Sequence, residues 1–187
     1  MIGHLNLIKQ INRIKQMKIK VREITEGCKF EIIQNGDCID LKAAEDYEFI
    51  APQASRVYQK DKNKQRNIKF DEKMVKLGIA MQLPKGFVAK IRQRSSTTKK
   101  LRLLPATSGF IDTSYSGNND EWCWYCFSVD NTIIHKGDRI CQFEISLSQF
   151  ATTWQKLKWL FNGKPEFVWV DKLESNDRGG HGSTGVK

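Results

Sequence analysis

The chain has 187 residues and is 40% hydrophobic, enough for one domain with a substantial core, and no run approaches the roughly 18 apolar residues of a membrane span. Its formal net charge of +10 attracts polyanions, but the basic residues do not interleave with aromatics along one stretch, so nucleic-acid binding is not the expected main role. Five cysteines, odd in number and irregularly spaced, argue for free thiols in a reducing cytosol, and Lys9, Arg13 and Lys15 interrupt any signal-peptide core.

Along residues 1–16, Leu5, Ile8, Ile11 and Ile14 recur every third position, which predicts a short amphipathic helix. It is read as an N-terminal extension ahead of a domain opening at Met17, with a membrane-surface or partner helix as the functional alternative. Strands are expected from Lys18 to Ile24 and from Lys29 to Ile33, followed by a turn at Asn35-Gly36. Asp40, in the run Gly36-Asp37-Cys38-Ile39-Asp40-Leu41-Lys42-Ala43, taken alone caps a turn. Residues 52–69 carry Arg56, Lys60, Lys62, Lys64, Arg66 and Lys69 with few apolar neighbours. They read as an expanded solvated loop, the sharper alternative being a docking loop for a protein or nucleic acid.

A strand is predicted from Met74 to Leu83, then a turn at Pro84-Lys85-Gly86. Phe87, Ala89 and Ile91 alternate with Val88, Lys90 and Arg92 up to Arg94-Ser95-Ser96. A guanidinium and two hydroxyls at the end of a strand suit phosphate oxygens. Gly109-Phe110-Ile111-Asp112-Thr113-Ser114-Tyr115-Ser116-Gly117 reads as a narrow hairpin-like element with glycines at both ends and a single carboxylate. Asp112 is the candidate general base on water, and the peptide groups around Gly109 and Ile111 are placed to bond a flat ligand.

Cys123 and Cys126 form a Cys-x-x-Cys, but residues three apart on a strand face opposite ways and no second pair completes a metal site, so a core strand is expected there. Lys136-Gly137-Asp138-Arg139 is a turn feeding a strand from Ile140 to Ile145 that contains Gln142. Trp154 to Phe161 predicts a short helical insertion, and a strand follows from Glu166 to Val170. Residues 176–187, with Arg178-Gly179-Gly180-His181-Gly182-Ser183-Thr184-Gly185, form a flexible glycine-rich arm whose N–H groups can wrap phosphates.

The ordered set of Asp40-Leu41, Arg94-Ser95-Ser96, the 109–117 stretch, Gly137-Asp138-Arg139-Ile140-Cys141-Gln142 and the terminal arm resembles the trimeric deoxyuridine triphosphatases (dUTPases), from about Lys18 to the end. The resemblance implies an all-β jelly-roll domain over residues 17–175, a cytoplasmic homotrimer with sites shared among three chains, and hydrolysis of dUTP to dUMP and pyrophosphate with Mg2+. It implies Asp112 as the base, Asp40 reaching the metal through water, and Arg94, Ser95, Ser96, Gln142 and Arg178 on the phosphates. Tyr115 lies against deoxyribose, Gly109 and Ile111 at the base, and His181, Gly182, Ser183 and Thr184 in the closing arm. His181 replaces a phenylalanine that stacks on uracil, and imidazole offers less stacking area and titrates. Cys38, Cys141 and Ser116 also depart from the family pattern, whose variants here suggest a phage or bacterial source. The rivals are a dCTP deaminase-like enzyme of the same fold, and a regulatory protein docking a partner through 52–69 or 154–165.

Overall fold

In the computed structural model, residues 17–32, 36–54, 68–162 and 165–180 are described. Residues 1–16, most of the basic loop 52–69 and the arm from His181 onward lie outside them.

Short alternating runs give strands β1 (Lys18–Glu23), β2 (Ile39–Lys42), β3 (Tyr47–Phe49), β4 (Gln53–Ala54) and β5 (Ile68–Lys69). Then come β6 (Glu72–Lys76), β7 (Ile79–Gln82), β8 (Phe87–Gln93), β9 (Leu103–Pro105) and β10 (Gly109–Ile111). The last are β11 (Cys123–Ser128), β12 (Thr132–Ile134), β13 (Arg139–Leu147) and β14 (Glu166–Trp169). Two short helices complete the described residues, α1 (Ser95–Leu101) and α2 (Thr153–Asn162). The fold is mostly β and jelly-roll-like, with the helical insertion near 154–161 where expected.

A four-stranded antiparallel sheet in the order β10-β8-β13-β2 carries Asp40, Gly109, Ile111 and Gln142, and Arg94 and Asp112 directly follow two of its strands. Two three-stranded sheets, β14-β1-β7 and β6-β11-β9, flank the core. In β8, Phe87, Ala89 and Ile91 point inward while Val88 and Lys90 are partly open, as their alternation requires. Trp122, Trp124, Phe49 and Phe143 are fully buried among aliphatic side chains. Each such side chain contributes about 1.5–3 kcal/mol by leaving water. Trp122 and Phe143 meet edge to face, with ring centroids 5.4 Å apart.

Cys123 and Cys126 stand on one strand with Cys126 buried, and the described cysteines are all free thiols. Burial pushes both thiols up to about 12, so they behave as packed apolar groups, with no redox pair formed. No described helix is long and apolar enough to cross a membrane.

Three expectations are corrected and one element is added. Residues 29–32 of the strand expected from Lys29 to Ile33 form none: of these four only Phe30 turns inward, wedged against Phe143, Phe167 and Trp169, while Lys29, Glu31 and Ile32 stay exposed. The predicted strand from Met74 to Leu83 is two strands, β6 and β7, broken at Leu77-Gly78. Gly78 has φ +67°, and a Cβ there would lie 2.5 Å from Cys28 Sγ. Ser95–Leu101 is a helix that the sequence reading did not include, held by Thr97 Oγ1 donating to the Ile140 carbonyl at 2.7 Å. Finally, 109–117 is not a closed hairpin. β10 pairs with β8, residues 112–115 make a tight turn, and Gly117 bridges to Ser175 near the C-terminal end.

Gly78 and Gly137 separate two glycine effects, because Gly137 has φ +90° but open space around it. Gly137→Ala should lose about 1–2 kcal/mol from left-handed backbone strain. Gly78→Ala should lose about 2–5 kcal/mol, with overpacking against Cys28 added. Urea denaturation measures both, and equal losses would show that Cys28 gives way freely.

Candidate active site

The predicted site residues fall into two clusters. The first forms where β2, β13 and the end of β8 come together, Gln142 sitting opposite both Asp40 and Arg92 in the ladder. Asp40 lies between two guanidiniums. Its Oδ1 is 2.7 Å from Arg94 Nε and its Oδ2 3.3 Å from Arg139 Nη1, with only 14% of the side chain exposed. Arg94 Nη1 also donates to the Arg139 carbonyl at 2.7 Å, which fixes the plane of the fork. Arg94 is the N-cap of α1 and makes no side-chain cap, so exposed Ser95 and half-buried Ser96 open the helix with their first-turn N–H groups uncapped. Gln142 Nε2 reaches only the Gln93 carbonyl at a long 3.5 Å, leaving its amide able to turn to a ligand. Asp138 locks the preceding turn by accepting from the His135 N–H at 2.9 Å.

No group of three or more His, Cys, Asp or Glu side chains able to hold a metal occurs among the described residues. One carboxylate with both oxygens paired does not make a protein cage for a cation. It does fit magnesium, which keeps most of its water and is commonly held by substrate phosphates with one or two carboxylates.

The second cluster surrounds Asp112. Gly109 brings β10 close to β8, since a Cβ there would come 2.9 Å from Ile91 Cβ. Ile111 is buried, and Asp112 follows it into solvent with 67% of its side chain exposed. The Tyr115 N–H closes the turn on the Asp112 carbonyl at 3.0 Å. Tyr115 Oη donates to the Glu121 carbonyl at 2.8 Å, and burial pushes the phenol up to about 12, so it stays protonated. Arg178 Nη1 lies 3.6 Å from Asp112 Oδ2. Gly180 passes so near Tyr115 that a Cβ would come 2.8 Å from ring atom Cε2.

The residues that hold this second cluster together escaped the sequence reading. Asp120, 1% exposed, accepts the N–H of Gly117 at 2.8 Å, of Arg178 at 3.0 Å and of Gly179 at 3.1 Å. Asp177 accepts from the backbone and side-chain nitrogens of Asn119 at 2.8 and 2.6 Å, bonds that hold its carboxyl below the ordinary carboxylate value. The Asn118 amide pairs with both backbone groups of Leu173, at 3.0 and 2.8 Å. The available signal was three consecutive Asx residues after a glycine, which favour loop and backbone capping. Gly117 is required because a Cβ there would run into Asp177.

The two clusters do not meet within one chain. Gly109 pairs with Ile91 and Ile111 with Ala89, so Asp112 comes level with Val88, while Arg94 lies past the other end of β8. Six residues from Val88 to Arg94 at about 3.3 Å each separate them by roughly 20 Å. His181, Gly182, Ser183 and Thr184 lie outside the described residues.

This strand arrangement defines the dUTPase fold. It matches the dUTPase from Streptococcus mutans with a TM-score of 0.56 at 19% identity, over 71% of this chain and 98% of that one. It also matches a mutant dUTPase from phage phi11 of S. aureus, described as coordinating a structural Mg(II) ion, with a TM-score of 0.55 at 16% identity over 72% and 93%. No family model matches the chain. The SPbeta prophage-derived deoxyuridine 5'-triphosphate nucleotidohydrolase YosS of Bacillus subtilis is 39% identical over 174 residues, spanning 92% of this chain and 99% of that protein. The chain belongs to the dUTPase family.

Beside the site, Glu121 Oε1 accepts the Gly78 N–H at 3.0 Å, yet burial raises its pKa above the ordinary value. The folded chain therefore holds that proton more tightly than the unfolded chain. This stability is fully present below the ordinary glutamate range and is lost as pH rises through the raised value. Glu121→Gln should melt higher than the parent near pH 8, with the gap closing towards pH 4. A gap constant across that range would mean the carboxylate titrates normally.

Proposed function

We propose that this protein is a dUTP diphosphatase working as a homotrimer with each site shared among the three chains, Arg94, Ser95, Ser96 and Gln142 of one protomer facing Asp112 and Tyr115 of another and the terminal arm that carries Arg178 completing the site. The observation carrying this reading is the pair of complementary half-sites at opposite ends of β8, too far apart in one chain to touch a single nucleotide. Family membership supplies the substrate, since the B. subtilis relative is a deoxyuridine triphosphate nucleotidohydrolase.

Asp112 takes a proton from water as its oxygen bonds to the α-phosphorus. The bond from that phosphorus to the α–β bridging oxygen breaks, and pyrophosphate leaves with the electron pair. The Asp112 turn is open to water, as a base acting on solvent requires. Arg94 and Arg178 offset charge developing on the phosphates, while Ser95 and Ser96 donate from the start of α1. Asp40 would hold magnesium through the ion's water shell, and the ion would supply neutralisation of phosphate charge. Tyr115, tied to the Glu121 carbonyl, is a fixed wall against deoxyribose that leaves no room for a 2'-hydroxyl.

Uracil is read by backbone groups between Gly109 and Gly117. Cytosine presents donor and acceptor reversed and leaves peptide groups unpaired, at about 1–3 kcal/mol each. The arm residues His181, Gly182, Ser183 and Thr184 close over base and phosphates in this reading. A deaminase would need a glutamate facing the pyrimidine, whereas Glu121 is turned to the Gly78 N–H.

A pyrophosphate-release panel with dUTP, dCTP, dTTP and UTP, with and without magnesium, tests the assignment. Release should be selective for dUTP and stimulated by the metal. Asp112→Asn should still bind dUTP but turn over roughly 10²–10⁴-fold more slowly. Ammonia from dCTP with no pyrophosphate from dUTP would overturn the proposal.

A further inference from the structure

α2 leans on the domain by one side. Gln155 Nε2 donates to the Lys85 carbonyl at 3.0 Å, and the Trp159 ring lies 5.2 Å from that of Phe87. Four residues apart, these two side chains share a helix face. Trp154, Leu157 and Phe161, spaced by three and four, turn away from it together with Leu160. All four are exposed, Leu160 to 72% and Trp154 to 67%. An outward apolar stripe of this kind marks a contact surface.

The chain ahead of β1 enters the domain beside that stripe. β1 and β14 are parallel neighbours, Lys18 beside Glu166, and the Glu166 N–H donates to the Met17 carbonyl at 2.9 Å. Residues 1–16 and α2 therefore feed adjoining strands that run the same way. Asn162 ends α2 four residues before Glu166, so at most about 14 Å of chain separates the two. As a helix, residues 1–16 would measure about 24 Å against about 15 Å for α2, enough to run its whole length. Leu7, Ile11 and Ile14 repeat the spacing by four and three, with Lys9 and Arg13 off that stripe.

We propose that residues 1–16 dock as an amphipathic helix on α2 of the same chain, Leu7, Ile11 and Ile14 covering Trp154, Leu157 and Phe161. The direct tether through Met17 keeps the segment at high effective concentration next to its own α2. Neither segment carries an acidic residue, while one has Lys9, Arg13 and Lys15 and the other Lys156 and Lys158. The attachment is thus apolar burial working against charge repulsion, and salt strengthens it by screening. An anionic lipid surface or an acidic partner on the same stripe would be weakened by salt instead.

The photo-cross-linker p-benzoylphenylalanine, placed at Leu157 of the full chain, tests this. Leu157 is on the outer side, so the probe leaves the packing of Trp159 on Phe87 in place. Irradiation should join it to a peptide from residues 1–16, in a product that keeps the mass of one chain on a denaturing gel. The yield should hold or rise from low to high salt. Leu7→Asp combined with Ile11→Asp should cut it by about 10-fold or more, the scale of losing one buried apolar side chain. Cross-links to a second chain, or to another part of the domain, would overturn the proposal. So would equal capture of residues 1–16 by the same probe at exposed Lys99 on α1. Loss of the cross-link on adding phosphatidylglycerol vesicles would make a membrane the occupant and overturn it too.

Discussion

One buried carboxylate, Asp120, gathers backbone N–H groups from two segments 58 residues apart. An orphaned buried N–H costs about 1–3 kcal/mol, and an unpaired buried carboxylate costs more, so loop and arm are mutually dependent. Arg178 and Asp112, by contrast, meet in solvent at 3.6 Å, where a pair contributes about 0–1 kcal/mol. The root of the arm is therefore firm while its charged tip is exchangeable. The phosphate role proposed for Arg178 is served by that mounting: fixed backbone, weakly committed side chain.

The sheet provides the second constraint. β8 carries Arg94 past one end and, through its pairing with β10, Asp112 beside the other. Because a strand rises about 3.3 Å per residue, β-structure holds that separation to within very little. Close approach of the strands is set at Gly109, where any side chain would meet Ile91. The core beneath, built on Trp122, Trp124 and Phe143, resists a shift of one strand against the next because these large side chains are fully buried and Trp122 interlocks edge to face with Phe143.

The local settings of the candidate site residues could be read from the chain because the family's short motifs coincide with places where chemistry restricts residue choice: Asp112 after a buried Ile111, Arg94 at the end of a strand, Gly137 in a left-handed turn. β8 was legible because one face is buried and the other is not. Gly78 misled, since a glycine inside an apolar run looks like continuing strand until Cys28 is seen packed against it. α1 was missed because Ser, Ser, Thr and Thr favour other local structure, and it is the tertiary bond from Thr97 to Ile140 that secures the helix. Asp120 was invisible for a different reason. Two of its three partners, Arg178 and Gly179, lie at the far end of the chain, and the Asx run after Gly117 announces backbone capping without saying which distant peptide groups are capped.

Lodged between Arg94 and Arg139, Asp40 gives the free chain its own tethered counter-anion. A chloride or a lone inorganic phosphate has to displace a carboxylate held permanently nearby at high effective concentration. A ligand that arrives with several negative charges, together with its own cation for Asp40 to face, meets no such handicap. In a chain of net charge +10, selection against small ambient anions thus comes from an occupant built into the protein, and not from the narrowness of a pocket.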